Sequence, residues 1–135
     1  MSRFDLTPEH AADIMTTAIE GGITYWCASA SYTDDELLSQ VIESSDSSYP
    51  AYAIPEYWIT GGMLLEEGTV GGMLLEEGED HTQHRINLHK LNNALHNEAL
   101  PLDVAMRILN NDGSADAEDA DLIVQVAIFG EVVYG

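Results

Sequence analysis

Thr82-Gln83-His84-Arg85-Ile86-Asn87-Leu88 is the stretch that decides the fold. Ile86 and Leu88 alternate with Arg85 and Asn87, the period of two that sets one strand face on a core and the other in water. After it the period lengthens. Leu91, Ala94 and Leu95 follow at helical spacing, and Pro101 opens another helix whose inner face reads as Leu102, Ala105, Met106 and Leu109. Ser114 or Asp116 begins a last helix with a stripe of Ala117, Ala120, Ile123, Val124, Ala127 and Ile128. Acids crowd its first turns and Gly130 follows its end, as the helix dipole and a glycine cap favour. Glu131-Val132-Val133-Tyr134-Gly135 reads as one short strand.

Before the deciding stretch, Tyr57-Trp58-Ile59-Thr60 also reads as strand. Between the two lies an identical repeat: Gly61-Gly62-Met63-Leu64-Leu65-Glu66-Glu67-Gly68 recurs as Gly71-Gly72-Met73-Leu74-Leu75-Glu76-Glu77-Gly78. Two copies are too few for a solenoid. The simplest reading is a tandem duplication that lengthens a hairpin or adds a loop, with residues 71–80 as the addition. The alternative is a two-copy acidic surface strip.

Toward the N-terminus, Thr33 to Glu36 has the form of a capping box, and Leu37, Leu38, Val41 and Ile42 make a short helical stripe. Ser44 to Ser48 is a polar linker, and Tyr49-Pro50 and Ile54-Pro55 favour extended backbone. Thr7, Pro8 and Glu9 signal the start of the first helix. Ala11, Ile14, Met15, Ala18 and Ile19 are its apolar stripe, and Gly21-Gly22 reads as a left-handed stop. Ile23 to Ala28 is a buried strand or a turn anchored by Trp26. The expectation is α+β: a small antiparallel sheet with four to five helices in a single domain, 1–135, with a variable insert and the duplication at about 33–80.

The 135 residues hold 24 Asp and Glu against 4 Lys and Arg, a net charge of −20. That balance disfavours direct binding of nucleic acid phosphate and of an anionic membrane. Cys27 is the one cysteine, which excludes a disulfide within the chain and a multi-cysteine zinc site. No apolar run approaches the roughly 20 residues of a membrane span, and Met1-Ser2-Arg3 leads into no signal-peptide core. The expected location is intracellular. His81, His84, His89 and His96 fall close together, but lack H-E-x-x-H spacing and read as surface histidines rather than a metal site. There is no G-x-S-x-G, no Walker lysine and no calcium-loop spacing. Cys27 sits in an apolar run and reads as an inert thiol. No catalytic residue, metal or cofactor is expected.

Two segments carry a resemblance. Glu20-Gly21-Gly22-Ile23-Thr24-Tyr25-Trp26-Cys27 resembles an E-G-G-x-x-Y-W stretch, and Asp119 to Gly135 resembles an A-D-x-I-V-Q-x-x-x-F-G-E-V-V-Y-G ending. Together they look like a family of small proteins from tailed phages, many of them phages of actinobacteria. Thr33 to Gly78 departs from that pattern. The resemblance implies a phage or prophage accessory gene expressed in host cytoplasm, and carries over no site residues. Physically, Gly21, Gly22 and Gly130 read as helix stops, and Tyr25, Trp26, Phe129 and Tyr134 as apolar anchors that meet if the ends of the chain pack together.

The leading expectation is a non-enzymatic inhibitor that meets a basic host or defence protein through its acids, with nucleic acid mimicry as one form. Twenty charges correspond to ~34 Å of duplex at ~1.7 Å per charge. A domain of this length is roughly 35–40 Å across. The contact residues expected are Glu66, Glu67, Glu76, Glu77, Glu79, Asp80, Asp116, Glu118 and Asp119. Two alternatives stand beside it. A sponge for a small signalling nucleotide needs several of Arg3, Arg85, Lys90 and Arg107 to converge; adaptation to high salt needs only an even acidic coat. Apolar groups near the chain ends and the Met-Leu-Leu repeats suggest a homodimer or higher assembly.

Overall fold

The computed structural model describes residues 5–33, 35–44, 49–58, 72–110 and 115–135. Helix α1 (Pro8–Thr17) starts where the sequence signals it: Thr7 caps, Pro8 follows, and His10 closes the reciprocal capping pair. Ala11, Ile14, Met15 and Ala18 are buried along it. The helical backbone ends at Gly21-Gly22 as expected, after one wide turn, Ala18–Gly22, but Gly21 has an extended φ of 178° rather than a left-handed one. Gly22 is needed for space, because a Cβ there would lie 2.6 Å from the backbone oxygen of Ala117. A turn over Ile23–Trp26 then leads into strand β1 (Cys27–Tyr32).

Strands β1, β2 (Met73–Glu77) and β3 (Gln83–Ile86) form an antiparallel sheet in that order. β2 is the second copy of the repeat, so residues 71–80 are not an added loop. Met73 and Leu75 are buried in the core, and Leu75 pairs with Ala30 on one side and His84 on the other. The first copy, residues 61–70, lies outside the described residues. The expected strand Tyr57–Thr60 is instead a short 3-10 turn, Pro55–Trp58, in the part described. Tyr57 and Trp58 are fully buried there, where a strand would bury only one of two neighbours. A second short turn, Ala51–Ala53, precedes it.

Helix α2 (Asp35–Ser44) buries Val41 and leaves Ile42 exposed. Helix α3 (Leu88–Leu95) follows β3 directly under an Asn87 cap, so Leu88 belongs to the helix and not to the strand. Helix α4 (Leu102–Asn110) turns a different face inward from the one expected. Val104, Ala105 and Ile108 are buried, while Leu102 and Met106 are 77% and 59% exposed. The sequence offers both stripes, and the ion pair of Arg107 with Asp119 fixes the rotation. Helix α5 (Ala117–Phe129) has an Asp116 cap with Asp119 closing the capping pair, and ends on Gly130 at φ 79°. Residues Glu131–Gly135 form no strand; they fold back as irregular chain along α5.

Candidate functional site

Asp121 and Gln125 stand one turn apart on α5 and both are buried. Residues four apart share a helix face, and this face meets the turn that carries Tyr25 and Trp26. The Tyr25 hydroxyl donates to Asp121 Oδ2, and Trp26 Nε1 donates to Asp121 Oδ1 at 2.8 Å. Gln125 Nε2 donates to the same Oδ1 at 2.9 Å. Gln125 Oε1 accepts the backbone N–H groups of Val133 and Tyr134, each at 2.8 Å. One glutamine therefore ties the C-terminal tail to α5, and one aspartate ties the Tyr25-Trp26 turn to it. Burial and the Asp121 hydrogen bond push the Tyr25 hydroxyl up to about 12. The Tyr134 ring stacks on Trp26 at 5.4 Å between centroids, and Phe129 lies 5.7 Å from Trp26. Both quoted end motifs thus close on one another.

At the far end of the tail the Tyr134 hydroxyl donates to Glu77 Oε1, and Glu77 Oε2 pairs with His84 Nε2 at 2.6 Å. The hydrogen bond to Glu77, then burial, raises Tyr134 to about 12. The His84 and Tyr134 hydrogen bonds hold Glu77 below the usual carboxylate range. A lowered folded-state value means that the carboxylate stabilises the fold above its ordinary value of 4.5, and that this contribution is lost as the pH falls through the lowered one. Glu77→Gln is therefore expected to destabilise the protein more at about pH 7 than at about pH 3, because wild type loses this contribution as the pH falls from 4.5 toward and through the lowered value. Urea unfolding at both values checks this; an equal deficit at both would contradict it.

Between the turn and the tail lies a hollow of about 520 Å³. Tyr25, Leu122, Val132 and Val133 supply its apolar wall, and Glu118 and Asp121 its carboxylates. Tyr25, Val132 and Val133 are 56%, 42% and 54% exposed, a concentration of apolar surface around one concavity. Glu118 adds its negative field to Tyr25, and Glu79 and Asp80 add theirs to Tyr134. The hollow is thus edged by acids from α5. None of the described Lys or Arg residues lines it.

Of the expected contact residues, Glu118 lines this hollow and is exposed; Glu79 and Asp80 are exposed in the β2–β3 turn, and Asp116 is exposed at the cap of α5. Glu76 is half-buried and faces His81 at 3.2 Å. Glu77 and Asp119, also expected as contacts, are buried and engaged within the fold. Glu77 is 9% exposed and taken by His84 and Tyr134; Asp119 is 3% exposed and chelates Arg107 at 2.8 and 2.9 Å. The Arg107 guanidinium holds the Asp119 carboxyl below its usual value. Glu66 and Glu67 lie outside the described residues. Sequence reasoning missed Asp121 and Gln125. The available signal was a glutamine between Val124 and Val126 in a helix otherwise apolar at that level.

A second hollow, of about 550 Å³, lies between α1, α4, α5 and the Ala51–Ala53 turn, and His10, Asp13 and Asp116 are its ionisable lining. The four clustered histidines go separate ways: His81 faces Glu76, His84 faces Glu77, His89 faces Asn93 and His96 faces Asp5. No group of three or more His, Cys, Asp or Glu gathers for a metal among the described residues. Cys27 is half-buried on β1, and burial raises its thiol. No described helix is long and apolar enough to cross a membrane. No family model, curated protein or solved structure matches this chain.

Proposed function

We propose that the chain is a non-enzymatic binding protein whose acid-edged hollow takes a basic, partly apolar segment of a partner protein. The two end motifs suggest the setting: a phage product acting on a host or defence protein inside the host cell. The observation that carries the binding reading is the lining itself. Exposed Tyr25, Val132 and Val133 offer apolar area at the centre, and Glu118 sets a negative charge at its edge. Apolar centre and charged rim is the anatomy of a protein-binding patch. Rim charges act mainly on the association rate and on salt dependence.

Other readings have less support. Exposed acids occur on α1, α2, α4, α5, the hairpin turn and the tail, a spread that disfavours a duplex-long strip and fits the even coat that adaptation to high salt needs. A nucleotide sponge needs converging cations, yet Arg107 is held by Asp119 and Asp103, and neither hollow is lined by Arg85, Lys90 or Arg107. Exposed Leu102 and Met106, one turn apart on α4, support self-association through a separate face.

Titration calorimetry with a synthetic lysine- and leucine-rich peptide tests the reading. Glu118→Lys combined with Val133→Asp is expected to weaken binding by about tenfold or more, near 1.4 kcal/mol. Raising salt from about 50 mM to about 500 mM is expected to weaken the wild type likewise, because screening shortens the reach of the rim charges. Binding unchanged by the double variant would place the contact elsewhere.

A further inference from the structure

The duplication raises a structural question that the fold makes answerable. Residues Gly71–Gly78 and Gly61–Gly68 are identical, and the second set supplies the central strand. Every side chain from Gly72 to Gly78 therefore has a twin ten positions earlier. Pairings such as Tyr32 with Met73, Ala30 with Leu75 and Leu75 with His84 would be unchanged if the twin stood in its place. So would the seat of Glu77 between His84 and Tyr134, because Glu67 is its counterpart.

Chain length permits the exchange. The buried Tyr57 hydroxyl donates to the Gly72 backbone oxygen at 2.8 Å. A tyrosine side chain is short, so the Tyr57 backbone lies within roughly 10 Å of the start of β2. Gly62 is five residues beyond Tyr57 and an extended chain of that length spans about 17 Å. The first copy can thus reach the slot with Pro55–Trp58 left in place. On the other side the β2–β3 connection would grow from residues 78–82 to residues 68–82.

We propose that the central strand is interchangeable: Met63–Glu67 can replace Met73–Glu77 in the same register, giving two arrangements of one sheet. The arrangement with the second copy is favoured. Tripling the β2–β3 connection lowers its closure probability about fivefold. In the exchanged arrangement Glu76, Glu77, Glu79 and Asp80 leave the strand end and the tight turn for that longer connection. The exchange thereby changes the acids presented beside Tyr134. It stands independently of the function proposed above.

Aspartate substitutions on the buried face decide it, because a carboxylate cannot replace a core leucine without partners. Leu65→Asp, Leu75→Asp, both together, a chain lacking residues 61–70, and that shorter chain with Leu75→Asp are compared by thermal unfolding and hydrogen exchange. The shorter chain keeps one copy joined to Glu79-Asp80, the same polypeptide as a chain lacking residues 69–78, and it is expected to fold. Both single variants of the full chain are expected to keep a cooperative transition, and Leu75→Asp to move slow amide exchange from residues 73–77 to residues 63–67. The double variant and the shorter chain with Leu75→Asp are expected to lose the transition. Loss of the transition in full-length Leu75→Asp would overturn the proposal. So would slow exchange remaining at 73–77, or failure of the shorter chain to fold.

Discussion

Trp58→Ala is expected to cost about 4 kcal/mol, within the range for removing a buried aromatic ring. Trp58 has no exposed surface, meets Tyr57 edge-on at 5.6 Å, and donates from Nε1 to the Tyr52 backbone oxygen at 2.8 Å. Tyr57 in turn meets Tyr32 of β1 edge-on at 5.1 Å and donates to Gly72 at the head of β2. The Pro55–Trp58 turn is therefore the wedge between α1 and the sheet. A domain has about 5–15 kcal/mol in all, so this one substitution takes a large share. Urea unfolding followed by circular dichroism measures it, and a loss below about 1 kcal/mol would mean that the turn is peripheral.

Gln125→Leu is expected to cost about 2–4 kcal/mol and to free the tail. Leucine keeps most of the volume but removes the acceptor for Val133 and Tyr134 and a donor to Asp121. Tyr134 then loses its hold above Trp26, so Trp26 gains solvent and its emission shifts to the red. Fluorescence and urea unfolding together separate this from a simple core defect. Full destabilisation without an emission shift would show that the tail is held by its rings alone.

The helices were legible where a cap and a single stripe coincide. Thr7-Pro8 with Ala11, Ile14 and Met15, and Asp116 with Ala120, Ile123 and Val124, left one orientation open. α4 was misread because Leu102-Met106 and Val104-Ile108 are both apolar pairs at helical spacing. What chooses between them is Asp119 on another helix, reaching Arg107 across twelve residues. The central strand was misassigned for a different reason: the two copies are identical, so nothing local distinguishes strand from connection. Tyr57 and Trp58 carried strand propensity, but the pair is buried on both sides of a turn, which tertiary packing alone decides.

The site was legible in its parts. Tyr25-Trp26 and Phe129-Gly130 through Tyr134 stood out as aromatic punctuation, and the acids of α5 stood out by density. Their meeting was expected if the chain ends pack together, and Trp26, Phe129 and Tyr134 do meet; what was not legible is that Asp121 and Gln125 join these segments about a hundred residues apart. Acid density also gave no sign that Asp119 and Asp121 point inward while Glu118 points out. That division follows from helical periodicity once Arg107 and Trp26 are in place.

The hollow between the two end motifs is the proposed seat of a basic partner. An NMR titration of the uniformly labelled chain with the lysine- and leucine-rich peptide, at low salt, tests it residue by residue. The predicted result is saturable shift changes confined to Tyr25, Glu118, Leu122, Val132 and Val133. Changes spread evenly over the exposed carboxylates of α1, α4 and α5, with none at Val132 or Val133, would contradict it.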